Sequence, residues 1–325
     1  MDNKKVLVTG IGGNVGQGII RNIRSLHFPI TILGTNTAGF SAGNHLCDQF
    51  YQVPYAFDAE YISSIIAIVT KEKIDLIIPS TDYEVYYLSK HQADIPCTIA
   101  VSAVKTAEIY LDKYKTFLHH KRWGIPFAPS MLPANYRGEY PDFIVKPREG
   151  RGSRGLHINP ESLSGFTDDF MVQQLYKGRE ITTAFYVNQH NQLHGFINLE
   201  RELENGATNE CRVDQSHNQQ LEAILLKMIS HANIKGSANL QSIVTENGDI
   251  IPFEVNCRIS GTNSIRSNFG FEDVKYTLED YLYQLPLSKP EIIQGIAVRV
   301  LMDVIYLHQN DKDQLKDNSV PSYIF

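Results

Sequence analysis

The chain has 325 residues, 42% hydrophobic and 20% charged, with a formal net charge of -6. That length suits two or three lobes around sizeable cores. The negative balance without a dense Lys/Arg block argues against a nucleic-acid partner. Cys47, Cys97, Cys211 and Cys257 are scattered with no CxxC pair, which fits reduced thiols rather than a disulfide frame or zinc site. No apolar run approaches the roughly 18 residues of a membrane span, and the first apolar run, "KKVLVTG", breaks at glycine too early for a signal peptide. These features predict a cytoplasmic protein with a small-molecule partner and no membrane.

Residues 4 to 110 alternate short apolar runs with helical stretches. "KVLVTG", "ITILGT", "DLIIPS" and "CTIAVS" read as strands buried on both faces, and "VGQGIIRNIRSL" and "AEYISSIIAIVTKEK" as helices between them. This rhythm predicts a doubly wound parallel sheet. The turn "TGIGGNVGQG" carries Gly10, Gly13 and Gly16 in dinucleotide-fingerprint order, but the acid expected about 20 residues later is absent and Asn36 stands at the end of the second strand. A glycine turn serving packing or an anionic substrate fits better than NAD. A YxxxK pair, Tyr86 and Lys90, lies very early for a dehydrogenase's catalytic pair.

The pattern then becomes α+β. "TAEIYLDKYKTFLHHKRWGIPFAPS" predicts a helix ending at Gly124, and "DFIVKPREGRGSRGLHI" two strands around a Gly/Arg loop. Within that loop Gly150, Gly152 and Gly155 free the backbone to approach phosphate oxygens, while Lys146, Arg148, Arg151 and Arg154 supply charge. The order is not GxxxxGK[ST], so it is no P-loop. A plain basic hairpin loop is the alternative. Few contacts should hold residues 149 to 155 without phosphate, so the loop is expected to order on nucleotide binding. "DDFMVQQLYKGREITTAFYV" and "QLHGFINLE" are strand material, and "NQQLEAILLKMISHANI" is an amphipathic helix.

"SANLQSIVTENGDIIPFEVN" predicts a hairpin turning at Asn247-Gly248. A two-residue loop there puts Gln241 opposite Glu254 and Asn239 opposite Asn256. Opposite residues share a sheet face, so four polar side chains gather with Arg258 next along the chain. Hard Mg²⁺ takes such oxygen ligands, with water and phosphate completing its shell. The alternative is a solvated hairpin face.

Together these motifs resemble the ATP-grasp superfamily, especially carbamoyl-phosphate-synthase-like carboxylate-amine ligases. "NLQSIVTENGDIIPFEVNCRISG" is similar to that group's metal-binding hairpin. The resemblance spans about residues 4 to 285. It implies an α/β protein: an N-terminal doubly wound pre-ATP-grasp domain (1–110), then a two-part α+β ATP-grasp domain of lid subdomain (111–185) and metal-bearing subdomain (186–285), with a tail (286–325) of unassigned role. It further implies that Gln241, Glu254 and Asn256 hold Mg²⁺, with Mn²⁺ able to substitute, and that Arg258 is catalytic, steadying the transferred phosphoryl group. ATP would be bound by Lys113 and Lys146 on its phosphates, by the covering loop (Gly150, Gly152, Ser153, Gly155), by Gln174, Leu175 and Tyr176 at the adenine, and by Glu180 at the ribose. Gln174 departs from an acid, and Cys257 from a proline, usual at those positions.

The implied reaction is amide formation through an acyl phosphate, from small carboxylate and amine substrates, with a homodimer as a possible assembly. Such chemistry needs positioned ATP, metal and cations rather than a nucleophilic side chain. Arg212 and Arg266 are candidate carboxylate-binding cations, with Ser80, Thr81 and Asp82 as a polar edge. Three rivals remain: carbamoyl-phosphate-type phosphorylation of bicarbonate or carbamate, an NAD(P)-dependent oxidoreductase or epimerase, and a nucleotide sensor without turnover.

Overall fold

The computed structural model describes residues 2–150, 155–300, 302–316, 320 and 322–324. By contacts the chain divides into two units: residues 1–102, 258–291 and 299–325, and residues 103–257 with 292–298. Residues 258–285, expected with the metal-bearing subdomain, and 286–291, expected in the tail, thus cluster with the N-terminal residues.

In the first unit, β1 (Lys4–Val8), α1 (Asn14–Ser25), β2 (Ile30–Asn36), β3 (Gln49–Gln52), α2 (Tyr61–Glu72), β4 (Leu76–Ile78), α3 (Asp82–Lys90) and β5 (Thr98–Ile99) alternate as expected. The five strands form one sheet in the order β3-β2-β1-β4-β5, every pair parallel. Val6, Val8, Ile32, Leu76 and Ile78 make its apolar core with Ile19, Ile20 and Ile23 of α1. β3, "QFYQ", has no fully buried residue and gave no apolar run to detect. The helix α3 starts in a reciprocal capping box between Thr81 and Glu84.

In the second unit, the single helix expected before Gly124 is two, α4 (Val104–Leu111) and α5 (Lys113–Trp123), parted at Asp112. Asp112 accepts from the Tyr114 and Lys115 amides, capping α5. Gly124 ends α5 in the left-handed region, at φ 60°. A four-stranded sheet follows, ordered β6-β9-β7-β8, from β6 (Ser130–Met131), β7 (Phe143–Pro147), β8 (His157–Ile158) and β9 (Phe170–Gln174).

The run "DDFMVQQLYKGREITTAFYV" is two strands, because β9 stops at Gln174 and β10 (Arg179–Val187) begins the next sheet. With β11 (Leu193–Glu204), β12 (Ala207–Val213), β13 (Gly236–Val244), β14 (Ile250–Asn256) and β15 (Ile296–Val298) it forms six strands in the order β14-β13-β10-β11-β12-β15. One face packs on α6 (Asn218–Ala232): Ile181, Phe185, Val187, Ala238, Leu240 and Val244 meet Leu221, Leu225, Met228 and Ile229. Since side chains alternate, the intervening residues Glu180, Thr182, Asn239 and Gln241 share the other face. That second face, which also carries Ala184, Ile197 and Leu199, holds the polar groups of the site.

Beyond β14 the first unit resumes with α7 (Asn263–Arg266) and α8 (Asp273–Thr277), neither of which the sequence signalled. Among the described residues no helix is long and apolar enough to cross a membrane.

Candidate active site

The hairpin register is the one anticipated at the polar end: Asn239 faces Asn256 and Gln241 faces Glu254. Its cause differs. The turn is a three-residue loop closed by Thr245 and Asp249, with Gly248 at φ 82°, rather than a two-residue one. That longer loop pairs Ile243 with Ile251 and Ser242 with Pro252. A β-bulge at Phe253 then restores the expected pairing by one residue. β14 is the sheet edge, where Pro252, lacking an N–H, is tolerated.

The bulge also positions a lysine. Lys146 on β7 is 5% exposed, and its Nζ donates to the Phe253 carbonyl at 3.3 Å while lying 5.5 Å from the centre of that residue's ring. Gln173 Nε2 donates to the same carbonyl at 3.4 Å. Burial pulls the Lys146 pKa down to about 8, against the attraction of Glu254 and with the repulsion of Lys113. The ammonium is therefore poised to gain from an incoming anion.

Lys113 opens α5, and its Nζ donates to the Gly150 carbonyl at 3.1 Å. Its backbone N–H donates to the Arg148 carbonyl at 2.9 Å. Arg148, expected to face phosphate, is instead an internal strut: Nη2 meets Asp112 Oδ2 at 2.5 Å and Nε meets the same carboxylate at 3.1 and 3.2 Å. Although burial pushes the Asp112 carboxyl up, the Arg148 bonds and the capping amides hold it below the usual carboxylate range. Gly155 takes φ 68°, a left-handed backbone that favours glycine. Gly152 and Ser153, with Arg151 and Arg154, lie outside the described residues.

At the expected adenine strand, the Gln174 and Leu175 amides are already used, donating to Pro129 O and Asp142 O, both at 2.9 Å. The Tyr176 N–H has no partner among the described residues. Only one of the three hinge amides is therefore an available donor.

The proposed metal ligands are brought together. Gln241 Nε2 donates to Asn256 Oδ1 at 3.0 Å, and Asn256 Nδ2 donates to Glu254 Oε1 at 3.3 Å. One carboxylate and two amide oxygens form a hard donor set that fits Mg²⁺. Among the described residues no group of three or more His, Cys, Asp or Glu side chains could hold a metal. Arg201, which sequence reasoning missed, joins the network: it donates to Glu180 Oε1 from Nε at 2.9 Å and from Nη2 at 2.5 Å, and to Gln241 Oε1 from Nη2 at 2.6 Å. Its signal was a lone cation continuing the row Ile197, Leu199 on one parity of β11. Glu180, expected to face ribose, is thus engaged by a guanidinium.

Three more arginines have partners elsewhere. Arg258 lies past the end of β14, so strand alternation does not carry it into line with Glu254 and Asn256. It belongs to the first unit, where Nη2 pairs with Asp82 at 2.7 Å and Nη1 donates to Ile259 O, while buried Nε has no partner among the described residues. Arg266 is fully buried, paired with Asp273 at 2.5 Å and bonded to Ser260 and Thr262, so it is a structural cation. Arg212 pairs with Glu200 at 2.8 Å on the surface. The N-terminal glycines serve packing: a Cβ at Gly10 would meet Ser80 Oγ at 2.3 Å, and one at Gly16 would meet Gly10 O at 2.8 Å. Tyr86 and Lys90 form a cation–π contact one turn apart on α3.

A doubly wound sheet followed by two antiparallel sheets is a fold shared with solved structures of low sequence identity. Residues 6–100 match the PylC-like N-terminal domain family. Among curated proteins none matches the sequence. N5-carboxyaminoimidazole synthetase from Staphylococcus aureus, complexed with ADP, superposes with a TM-score of 0.74 at 14% identity, covering 92% of this chain and 82% of that one. Carboxyaminoimidazole ribonucleotide synthase from Aspergillus clavatus, complexed with ATP, gives 0.72 at 16% identity over 90% and 81%. The biotin carboxylase domain dimer of Hydrogenobacter thermophilus 2-oxoglutarate carboxylase, with MgADP, ADP and bicarbonate, gives 0.71 at 14% over 90% and 73%.

Proposed function

We propose that the protein is an ATP-dependent ligase that phosphorylates a substrate carboxylate and transfers the acyl group to an amine, releasing ADP and phosphate. The observation that carries this reading is Lys146: a buried ammonium held by the bulge carbonyl of Phe253 beside a one-acid metal set. Such an arrangement suits a polyphosphate chelating a divalent cation, since both partners gain when the anion arrives. The relatives' complexes with ADP, ATP and MgADP support the same choice of ligand.

In this reading Lys113 and Lys146 bind phosphate oxygens, and the loop carrying Gly150, Gly152, Ser153 and Gly155 covers them. The Tyr176 amide, with the Gln174 and Leu175 backbone as its frame, reads the adenine, and Glu180 the ribose. Gln241, Glu254 and Asn256 would hold Mg²⁺, which would supply charge neutralisation at the phosphates. Arg258 steadies the phosphoryl group in transfer, with its unpartnered Nε as the available atom. The functional division is 1–110, 111–185, 186–285 and a tail, 286–325. The protein works on small molecules, in the cytoplasm.

A second reading is favoured by the bicarbonate in the 2-oxoglutarate carboxylase complex: bicarbonate is the phosphorylated acid and the amine is carboxylated. An ADP-release screen against pooled amino acids, small carboxylates and sugar acids, each with and without bicarbonate, tests both. Release that needs bicarbonate alone selects the second reading; calorimetry showing tight NAD and no Mg-ATP binding would refute both.

A further inference from the structure

Two aromatic rings stand in solvent at the carboxyl edge of the parallel sheet. Just past β3, Pro54 fixes the backbone and Ala56 is buried, while Tyr55 and Phe57 on either side of it are 49% and 55% exposed. Their rings stack 5.3 Å apart and 2° from parallel. Phe57 also meets Tyr83, near the start of α3, edge to face at 5.8 Å. The turn beneath is closed twice, since the Asp58 N–H donates to the Tyr55 carbonyl and the Tyr55 N–H to Asp58 Oδ2, both at 2.9 Å. The backbone therefore holds these rings out. A single exposed apolar side chain is ordinary, but three rings fixed in contact form a patch that gains by being covered.

Place and charge indicate what covers it. The order β3-β2-β1-β4-β5 reverses direction between β1 and β4, and in such sheets ligands bind outside the carboxyl ends of the strands at that point. The turn leaving β4 there carries Ser80, Thr81 and Asp82, and Tyr83 follows directly. Asp82 is paired with Arg258 at 2.7 Å, so both signs of charge lie one residue from the rings. An apolar patch beside an acid and a guanidinium suits a zwitterion with an aromatic side chain.

We propose that Tyr55, Phe57 and Tyr83 form the side-chain subsite for one of the ligase's substrates, and that this substrate is an aromatic amino acid whose charged groups lie toward Asp82 and Arg258. The inference rests on the ligase reading above and deepens it by naming a substrate class. Tyr55 and Phe57 would touch only the ring, away from the reacting groups, so they set KM rather than kcat.

The test is saturation-transfer NMR on the full chain, with L-phenylalanine and L-tryptophan as probes against L-leucine and L-alanine. Ring protons of the aromatic pair should be saturated, with leucine and alanine well behind. Tyr55→Ser/Phe57→Ser, at two exposed positions outside the core, should weaken aromatic binding about tenfold, the scale of one or two ring contacts; Phe57→Tyr should retain it. Leucine held as tightly as phenylalanine, an unchanged aromatic signal in the double variant, or no aromatic signal at all would overturn the proposal and leave the ligase reading standing. Calorimetry of wild type with Mg-ATP tests that reading separately. Aromatic saturation without Mg-ATP binding would remove the ligase reading, and with it the assignment of the rings to a substrate.

Discussion

Replacing Lys146 by Met should stabilise the protein while removing nucleotide binding. In the folded chain the lysine pKa falls from 10.5 to about 8, and a change of that size corresponds to about 3 kcal/mol at roughly 1.36 kcal/mol per tenfold step. Below pH 8 the folded state carries a charged ammonium that burial disfavours, and the unfolded chain carries it freely in water. Between about pH 8 and 10.5 the unfolded chain binds the extra proton, so this group's contribution to stability rises with pH through that window. It is fully present above the unfolded pKa and lost as pH falls through the folded one.

Methionine has nearly the same length, no charge and a flexible chain that fills the cleft beside Phe253. The variant should therefore gain up to about 3 kcal/mol over wild type at pH 7, a margin that shrinks toward zero by pH 10.5. Urea unfolding of both proteins at a series of pH values measures the difference directly and cancels the titration of groups not coupled to Lys146. Mg-ATP binding by calorimetry should be lost in the same variant. A variant less stable than wild type by the same amount at pH 7 and pH 10.5 would show that the lysine is a net structural support, and the argument from burial would be wrong.

Glu254→Gln should abolish nucleotide-dependent Mn²⁺ binding and, by removing the attraction that raises the Lys146 pKa, move the alkaline limb of ATP binding to lower pH; an unmoved limb would contradict the coupling. Asp112→Asn should lower stability more at pH 7 than in acid, because the carboxylate's depressed pKa contributes stability above its unfolded value that is lost as pH falls through the folded one; equal losses in acid and at pH 7 in urea melts would count against it. Arg266→Met should cost about 3–5 kcal/mol by leaving the buried Asp273 without its cation, whereas Arg212→Met should cost less than about 1 kcal/mol, as expected of an exposed pair. Comparable melting temperatures for those two variants would undo the assignment of Arg266 as structural.

The first unit was legible because its strands are buried on both faces and punctuated by glycine, which leaves composition and fold in agreement. The Arg266–Asp273 pair was not, because a buried ion pair looks in sequence like any two surface charges until the helices that bury it are known. The same ambiguity misassigned Arg148, whose neighbours in sequence are loop glycines but whose partner, Asp112, is 36 residues away. Arg201 was hidden for a related reason: its two partners come from β10 and β13, and only the sheet order β13-β10-β11 brings both within reach of a side chain on β11.

The metal hairpin is the most instructive case, since the pairing of Gln241 with Glu254 was reached through two departures that offset each other. A three-residue turn moves the register by one, and the bulge at Phe253 moves it back. Pro252 was the available sign of irregularity, because a residue without an N–H is confined to edges and bulges. The bulge is not incidental to the site. Lying opposite the continuous β13, it gives Phe253 a carbonyl that Lys146 and Gln173 both use. An uninterrupted hairpin with the two-residue turn would still align Gln241, Glu254 and Asn256. It would lack the irregularity that presents this oxygen to β7, and with it the anchor for a buried lysine. The same extra residue thus sets the register of the proposed metal ligands and the place of the cation, which ties the two halves of the proposed phosphate site to one feature of the backbone.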